Sequence, residues 1–461
     1  MDNANASSLF GVYSQDYIAR KEVDMGDAER VLEEIKKRGI GFVQLWFTDL
    51  LGNLKSIEIP TSELPGALQE GLGFDGSSIH GFARIDESDM LIQPDLNTFA
   101  LLPWDNVARL ICDVLQPDGS PYGGDPRWAL KRALALASKR GFSLFVGPEV
   151  EYFYFRSAEG TEPVDQGGYF DLVPPDAGSA IRRETVLALQ EMGISIEAAH
   201  HEVAHGQQEI DLRFREALTI ADNIMTTRLV VKEIARRHGI HATFMPKPLS
   251  DQNGSGMHLH QSLVRQDGTN AFFDKNDPLF LSPIAKGYIA GLMRHAKEVT
   301  GVCAQWVNSY KRLVPGYEAP VYITWAHRNR SNMVRVPMYK PGNEMATRIE
   351  FRAPDPACNP YLAFAVLITA GLAGIESNYP LPDPIDGDVY SMSTREREDL
   401  GIESLPGSLN EAIEVMESSD LVRRALGDHI FEKFIQNKKI EWDAYRSQVH
   451  RYELDRYLTI L

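Results

Sequence analysis

Gly147-Pro148-Glu149-Val150-Glu151-Tyr152-Phe153-Tyr154-Phe155 sets two carboxylates into an apolar, aromatic run. Such a run after a proline predicts a buried strand, and on a strand Glu149 and Glu151 point to the same face. Carboxylates held side by side repel one another and resist desolvation, so they call for cations, protons or a metal. A half-exposed strand with a solvated acidic face accounts for the same pattern. The choice rests on what else the chain supplies.

Three further segments bear on it. His200-His201-Glu202 precedes Gly206-Gln207-Gln208-Glu209-Ile210-Asp211, placing Glu202 and Glu209 around a glycine-containing bend. Asn253-Gly254-Ser255-Gly256-Met257-His258-Leu259-His260 reads as a flexible loop entering a strand on which His258 and His260 share a face. Arg348-Ile349-Glu350-Phe351-Arg352 sets two guanidiniums on either side of one carboxylate. Singly, each has a plainer reading: a hydrogen-bonded structural histidine, or a salt-bridge ladder. Together, carboxylates with one imidazole suit hard divalent ions such as Mg²⁺ or Mn²⁺, whereas zinc would call for more Cys or His. Two such ions can neutralise a transferring phosphoryl group while arginines take up charge, and Arg312, Arg330 and Arg335 are at hand. No Gly-x-x-x-x-Gly-Lys-Ser/Thr loop occurs, so a bound ATP would depend on metals and arginines.

The elements that position these residues divide into an amino-terminal arm (1–24), a small α+β domain (25–120) and a larger α+β domain (121–461). In the small domain, apolar spacing predicts a helix over Asp27–Lys37. A hairpin follows through Val43, Leu45 and Phe47, turning at Gly52-Asn53, with Asp49 where the first strand gives way. The boundary falls in the turn-rich Pro117–Gly124. Beyond it, helices are predicted over Pro126–Lys139, Ile181–Met192, Leu218–His238, Pro283–Val299 and Pro360–Ser377, with a helical end from Gly407. The longest apolar tract, Tyr361–Ile375, is shorter than the ~20 residues that cross a bilayer. It predicts a buried helix with Asn359 as N-cap and Pro360 at the first helical position.

A net charge of −17, from 64 acidic against 47 basic residues, argues against a nucleic-acid surface and leaves small molecules, cations and other copies of the chain as partners. Cys112, Cys303 and Cys358 are scattered and odd in number, which suggests a reducing compartment and no disulfide framework. The polar amino end lacks an apolar signal core, so the expected location is the cytoplasm.

Read in order, Phe74–Ser78, Gly147–Glu151, His200–Ala204, Asn253–His258, Asn308–Arg312, Pro315–Pro320, Asn329–Ser331 and Arg348–Arg352 resemble the successive signatures of type I glutamine synthetases, with similarity to the α-type group. The resemblance runs from about residue 28 to the end. It implies a β-grasp-like amino domain and a catalytic domain on an antiparallel sheet flanked by helices. The implied reaction is ATP-dependent ligation of ammonia to the γ-carboxylate of L-glutamate through γ-glutamyl phosphate. It further implies Mg²⁺ or Mn²⁺, two to three per site, and a homododecamer of two stacked hexameric rings with sites between subunits.

Carried over position by position, the resemblance gives Glu151, Glu202 and Glu209 to one metal and Glu149, His258 and Glu350 to another. Glu197, His200, His260, Ser262, Arg330 and Arg335 match positions that hold ATP, and Asn253, Gly254, Arg312 and Arg352 match glutamate-binding positions. Asp49, Asp75, Tyr169 and Glu202 match the ammonium pocket, with Asp49 as the deprotonating acid serving an adjacent subunit. Glu318 matches a flap glutamate that excludes water, Arg330 and Arg348 arginines that steady the acyl phosphate, and Arg84 a position tied to glutamine feedback.

Some positions depart from the family. Ala304-Gln305-Trp306 stands where Asn-Pro-Thr is usual, which raises the alternative of a γ-glutamyl-amine ligase acting on a polyamine or ethanolamine. Gln208, His205 and Met345 replace a frequent histidine, proline and lysine, with tuning of metal or ATP affinity as the expected effect. Tyr390 lies near the tyrosine that β-type enzymes adenylylate, but lacks its acidic-proline context. A non-catalytic relative is disfavoured because all six matching metal ligands are kept.

Overall fold

The computed structural model describes residues 25–77, 79, 89–327, 329–339 and 341–461; Arg84 and the arm of residues 1–24 lie outside them. Strands β1 (Phe42–Thr48), β2 (Leu54–Pro60), β3 (Leu72–Asp75), β4 (Asp89–Leu101) and β5 (Val107–Leu115) form a first sheet in the order β2-β1-β5-β4-β3. β1 and β5 run parallel and the other neighbouring pairs antiparallel. Alternation along β1 explains how this sheet docks. Val43, Leu45 and Phe47 pack in a small core with Val31 and Ile35 of the helix Met25–Arg38. Trp46 points the other way and joins the large core with Leu50 and Ile111.

The second sheet holds β6 (Phe142–Phe155), β7 (Ile196–His201), β8 (Gln207–Leu212), β9 (Arg215–Glu216), β10 (His241–Thr243), β11 (Met257–Arg265), β12 (Trp325–His327), β13 (Val334–Val336) and β14 (Ile349–Phe351). Its order is β12-β13-β14-β11-β6-β8-β7, with β9 and β10 also paired to β6. It is antiparallel except for β12 with β13. On β6, Val146, Val150, Tyr152 and Tyr154 face the large core, which leaves Glu149 and Glu151 on the opposite face. β8, β11 and β14 alternate in the same way: Ile210, Leu259 and Phe351 point inward while Glu209, His258 and Glu350 line the other side.

Helices cover the inward face. The helix Pro360–Glu376 buries 13 of its 17 residues, and Asn359 caps it by accepting from the backbone N–H of Tyr361 and Leu362. It crosses the helix Pro283–Arg294 so closely that a methyl at Gly374 would lie 2.1 Å from the Gly287 carbonyl oxygen. The helix expected over Pro283–Val299 is instead two, Pro283–Arg294 and Ala296–Cys303. His295 (φ −101°, ψ 11°) leaves helical geometry between them, and its Nδ1 lies 2.7 Å from Glu298 Oε1.

Where the two sheets meet, Arg127 is 3% exposed and donates to Asp95, Asp113 and Asp222, joining β4 and β5 to the helix Ala217–Arg237. The carboxyl-terminal helices Leu409–Glu417, Asp420–Leu426 and Asp428–Arg446 add to the large core through Ile413, Leu421 and Phe431. The final segment leaves Leu458, Ile460 and Leu461 exposed. Among the described residues no helix is long and apolar enough to cross a membrane.

Candidate active site

A cavity of about 700 Å³ opens over the outward face of β6, β8, β11 and β14. Strand register turns the alternation into a grid. Glu149 lies opposite His258 on one side and Asp211 on the other, Glu151 opposite Glu209, and Glu209 opposite His200. Glu350 lies opposite both His260 and Arg335. Residues more than 200 positions apart thus become neighbours: Glu149 and Glu350 belong to one group with His258, their ligand atoms within 4.8 Å of one another.

In that group His258 Nδ1 lies 3.0 Å from Glu149 Oε2 and 3.9 Å from Glu350 Oε1, and His260 Nε2 lies 2.7 Å from Glu149 Oε1. Burial and the Arg352 guanidinium hold the His258 imidazole down to about 4, so at neutral pH it carries a lone pair for a ligand. Burial works against ionising Glu149, yet hydrogen bonds from His258 and His260 outweigh it and keep its carboxyl well below the usual range. Glu350 is fully buried. Desolvation would raise it, but the Arg352 guanidinium, with Nη1 at 2.6 Å, together with His260 and His258 outweighs that and lowers it to about 2; Arg335 donates to its other oxygen.

The neighbouring acids are differently placed. Glu151 accepts from Gln207 Nε2 and the Gly256 N–H, both at 2.9 Å, but burial and the Glu202 charge push it well above the carboxylate range. Burial and repulsion from Glu151 do the same to Glu209, and burial raises Glu202. Asp211 is pushed up to about 6, chiefly by burial, and its Oδ1 is buried without a hydrogen-bond partner. His200 Nε2 sits 3.3 Å from Glu209 Oε1 and joins Glu209 and Asp211 in a second group of ligand atoms within 4.8 Å. Buried carboxylates in such excess, with one orphaned oxygen, fit hard divalent cations: the counter-charge they require is larger than the protein provides.

Cations and a loop rim the cavity. Arg312 is buried and anchored by Ala353 O at 2.9 Å and Arg352 O at 3.1 Å. Its guanidinium runs against a glycine loop: a methyl at Gly254 would meet Arg312 Cγ at 3.2 Å, and one at Gly256 would meet Arg312 Nη2 at 2.7 Å. Across from them Glu318 adopts φ 60°, two residues after Gly316 at φ 97°, and its Oε2 accepts from Asn253 Nδ2 at 3.4 Å. A non-glycine residue in this region marks a held, strained turn. Tyr169, Arg330 and Arg335 complete the wall.

Of the residues singled out in the sequence, all six acid and imidazole ligands, His200, Tyr169, Asn253, Gly254, Arg312, Glu318, Arg330, Arg335 and Arg352 line this cavity. Glu197, His260, Ser262 and Arg348 lie beyond it; Arg348 Nε donates to His260 Nδ1 at 3.3 Å, extending the array along β11. Asp49 and Asp75 do not reach it. Asp49 is 2% exposed in the β1–β2 turn, accepting from Leu51 N and Asn53 N, with Lys55 Nζ 3.4 Å away. Asp75 ends β3 and accepts from Ser77 N at 2.8 Å.

Two further residues line the site that the sequence reading did not assign to it, Tyr390 and Gln207. Tyr390 lines the cavity, donates to Ala319 O and is raised to about 12 by burial; only tertiary proximity marks it. Gln207 was legible, since it shares the strand face of Glu209. Two departures from the family pattern lie elsewhere than expected. Trp306 lines a separate cavity, held by Ala357 O 2.9 Å from its Nε1 and by the Lys438 ammonium 4.1 Å from its ring. Gln208 turns to the core side of β8, where it accepts from Arg182.

A small sheet docked against a larger sheet floored with acids and rimmed by arginines is suited to holding divalent cations and phosphates. Residues 39–117 match the family described as "Glutamine synthetase, beta-Grasp domain" and residues 123–457 that described as "Glutamine synthetase, catalytic domain". Glutamine synthetase of Mycolicibacterium smegmatis is 52% identical over 442 residues, covering 94% of this chain and 99% of the relative. That of Methanosarcina mazei is 51% identical over 441 residues, covering 94% and 98%. A solved structure described as a GmaS/ADP complex superposes with a TM-score of 0.86 at 33% identity, covering 93% of this chain and 99% of that one. The chain belongs to the glutamine synthetase family.

Proposed function

We propose that the chain joins ammonia to the γ-carboxylate of L-glutamate, converting ATP to ADP and phosphate. The single observation that carries this reading is the grid of carboxylates and His258 with Arg312, Arg330, Arg335 and Arg352 converging on one cavity. Glutamate's carboxylate oxygen attacks the γ-phosphorus of ATP and ADP leaves; ammonia then attacks the carbonyl of γ-glutamyl phosphate and phosphate leaves. Glu149, His258 and Glu350 would hold one divalent cation, and Glu151, Glu202 and Glu209 another. When bound, such cations neutralise phosphate oxygens.

The chain's own groups do the rest. Arg312 and Arg352 with Asn253 and Gly254 orient glutamate, and Arg330, Arg335 and Arg348 take up charge as it gathers on the transferring phosphoryl group. Glu197, His200, His260 and Ser262 face the nucleotide. Glu318, on its strained turn, closes over the acyl phosphate and excludes water, which would otherwise hydrolyse it. Tyr169, Glu202 and Asp75 surround ammonium, and Asp49 removes its proton, because ammonium has no lone pair to attack with. That Asp49 and Asp75 stand off their own chain's cavity supports their serving a neighbouring subunit, and with it a closed assembly, here a dodecamer of two rings. The exposed Leu458, Ile460 and Leu461 suit contact between rings. A cytoplasmic location is supported by three cysteines that are buried and free. Feedback inhibition by glutamine acting at Arg84 is part of the same reading; an Arg84 variant that stays fully inhibited counts against it.

The amine-ligase reading loses its ground, since Trp306 lies outside the reacting cavity and the relatives near 50% identity are glutamine synthetases. The test is phosphate release from ATP with Mg²⁺ and glutamate, comparing ammonium with methylamine, ethanolamine, putrescine and spermidine. Fastest turnover with ammonium, yielding glutamine, is expected; preference for any amine overturns the assignment.

A further inference from the structure

A second cavity, of about 560 Å³, lies between the β1–β2 turn, the helix Ala217–Arg237 and the segment after β10. It is rich in cations although the chain as a whole carries a formal charge of −17. Arg228, Lys232 and Lys311 line it against a single acid, Glu441. That acid is already engaged: Glu441 Oε2 accepts from Lys438 Nζ at 2.7 Å and its Oε1 from Val307 N at 3.0 Å. Arg228 is 8% exposed, yet no described acid forms an ion pair with it. Its Nη2 donates to Cys358 O at 2.6 Å, its Nη1 meets only the Met225 sulfur at 3.7 Å, and its Nε is buried without a partner.

A guanidinium so buried ordinarily has a carboxylate, because desolvating an uncompensated charge is costly. Arg228 and Lys232 also oppose one another: partial desolvation and the guanidinium charge both depress the Lys232 ammonium. The buried Asp355 lends Arg228 some charge from behind without forming an ion pair and lies outside the cavity lining. Among the described residues, then, no acid of the cavity pairs with Arg228 or Lys232, and an anion would fit there. Flat surfaces are present as well: Phe244, Trp306 and Tyr445 line it, with Lys232 5.7 Å from the Phe244 ring centroid and Lys311 5.6 Å from that of Tyr445. Its volume falls in the range that encloses small ligands.

We propose that this cavity is a binding site for a small oxyanion carried on a flat ring, with the charged group at Arg228 and Lys232 and the ring against Trp306 and Tyr445. Leu51, Gly52 and Asn53 form another wall, so the occupant rests against the turn that carries Asp49. The site is separate from the cavity over the second sheet and shares no lining residue with it.

The experiment is calorimetric titration of the full, assembled protein with 2-naphthoate and 2-naphthyl phosphate, and with uncharged 2-naphthalenemethanol as the shape control. We expect saturable binding at one molecule per chain, at least tenfold weaker for the alcohol, and not displaced by excess ADP. Arg228→Met should weaken binding at least tenfold. Lys232→Met, a change at an exposed side chain that leaves the fold intact, should weaken it at least threefold. The preferred probe tells a carboxylate ligand from a phosphate one. Absence of saturable binding, equal affinity for the alcohol, displacement by ADP, or indifference to Lys232→Met each overturns the proposal.

Discussion

Two buried clusters in this chain are built mainly from acids and behave in opposite ways. At the junction of the sheets, Asp95, Asp113 and Asp222 surround Arg127, and Lys131 adds a second cation against Asp113. Burial there disfavours the charged forms, but Arg127 and Lys131 outweigh it and hold Asp95 and Asp113 below the usual carboxylate range. Asp125, capping the helix Pro126–Lys139 beside Asp113, is the exception, pushed up to about 7 by burial. On the floor of the main cavity, no described arginine or lysine forms an ion pair with Glu151, Glu202 or Glu209, and all three are raised, chiefly by burial. With Arg109, which the Asp222 charge stabilises, the junction sets three cations against Asp95, Asp113 and Asp222 and serves stability; the cavity is left short of positive charge and serves ligands. Burial of acids by itself does not separate structure from function, whereas the balance of charge within the cluster does.

The sharpest way to break this contrast is Glu151→Gln. Activity should fall about a thousandfold or more, as when a group that stabilises transition-state charge is lost. The melting temperature in a chelator should stay level or rise, because a repelling charge has gone; a large drop would make Glu151 structural. Arg127→Met is the converse. It strands the buried Asp222 and takes a partner from the half-buried Asp95 and Asp113, and should cost about 3–5 kcal/mol in denaturant unfolding. A loss below about 1 kcal/mol would show that the junction is not held by that cation.

Next in size is the response to Mg²⁺ or Mn²⁺. A cation at a hundredfold its dissociation constant should stabilise the fold by about 2.7 kcal/mol per site, read as a rise in melting temperature that Glu151→Gln diminishes. A carboxyl whose native pKa is raised binds its proton more tightly folded than unfolded. The cavity acids therefore cost stability above their ordinary pKa of 4.5, and the cost recedes as pH falls towards it. The cation must displace those protons, so its stabilisation should be larger at pH 8 than at pH 5.5, with Asp211 titrating near 6 in between. Asp95 and Asp113, held low, contribute stability above their ordinary 3.8 that is lost only as pH drops below it. Equal stabilisation at both pH values would argue against proton-coupled binding. The smallest effect belongs to Trp306→Thr, which should change the ratio of kcat/KM for ammonium and methylamine by less than about threefold, since pocket-lining contacts give tenfold or more.

Much of the site was legible because its residues lie on strands. The period of two assigns Glu149 and Glu151, His258 and His260, and Glu350 to single faces on spacing alone. The helix Pro360–Glu376 was equally plain from its cap, its proline and its apolar run. His295 was not, because the apolar spacing continues across the break and only the local dihedrals end the helix. Trp306 was misplaced because proximity in sequence to Asn308 and Arg312 says nothing of which side of the chain a ring takes; Ala357 and Lys438, distant in sequence, decide it.

By itself the sequence determined the residue types, the strand faces and the family, because side-chain alternation is local and the motifs occur in order. The register between strands was beyond it. Pairing Glu149 with His258, Glu151 with Glu209 and Glu350 with Arg335 joins segments separated by long loops and helices, and is selected only when the cores behind them pack. The charge balance was also a tertiary outcome. Arg127 and Arg228 both become buried guanidiniums on helices; one pairs with three aspartates, whereas no described acid forms an ion pair with the other, and only the packing of distant helices and strands decided which.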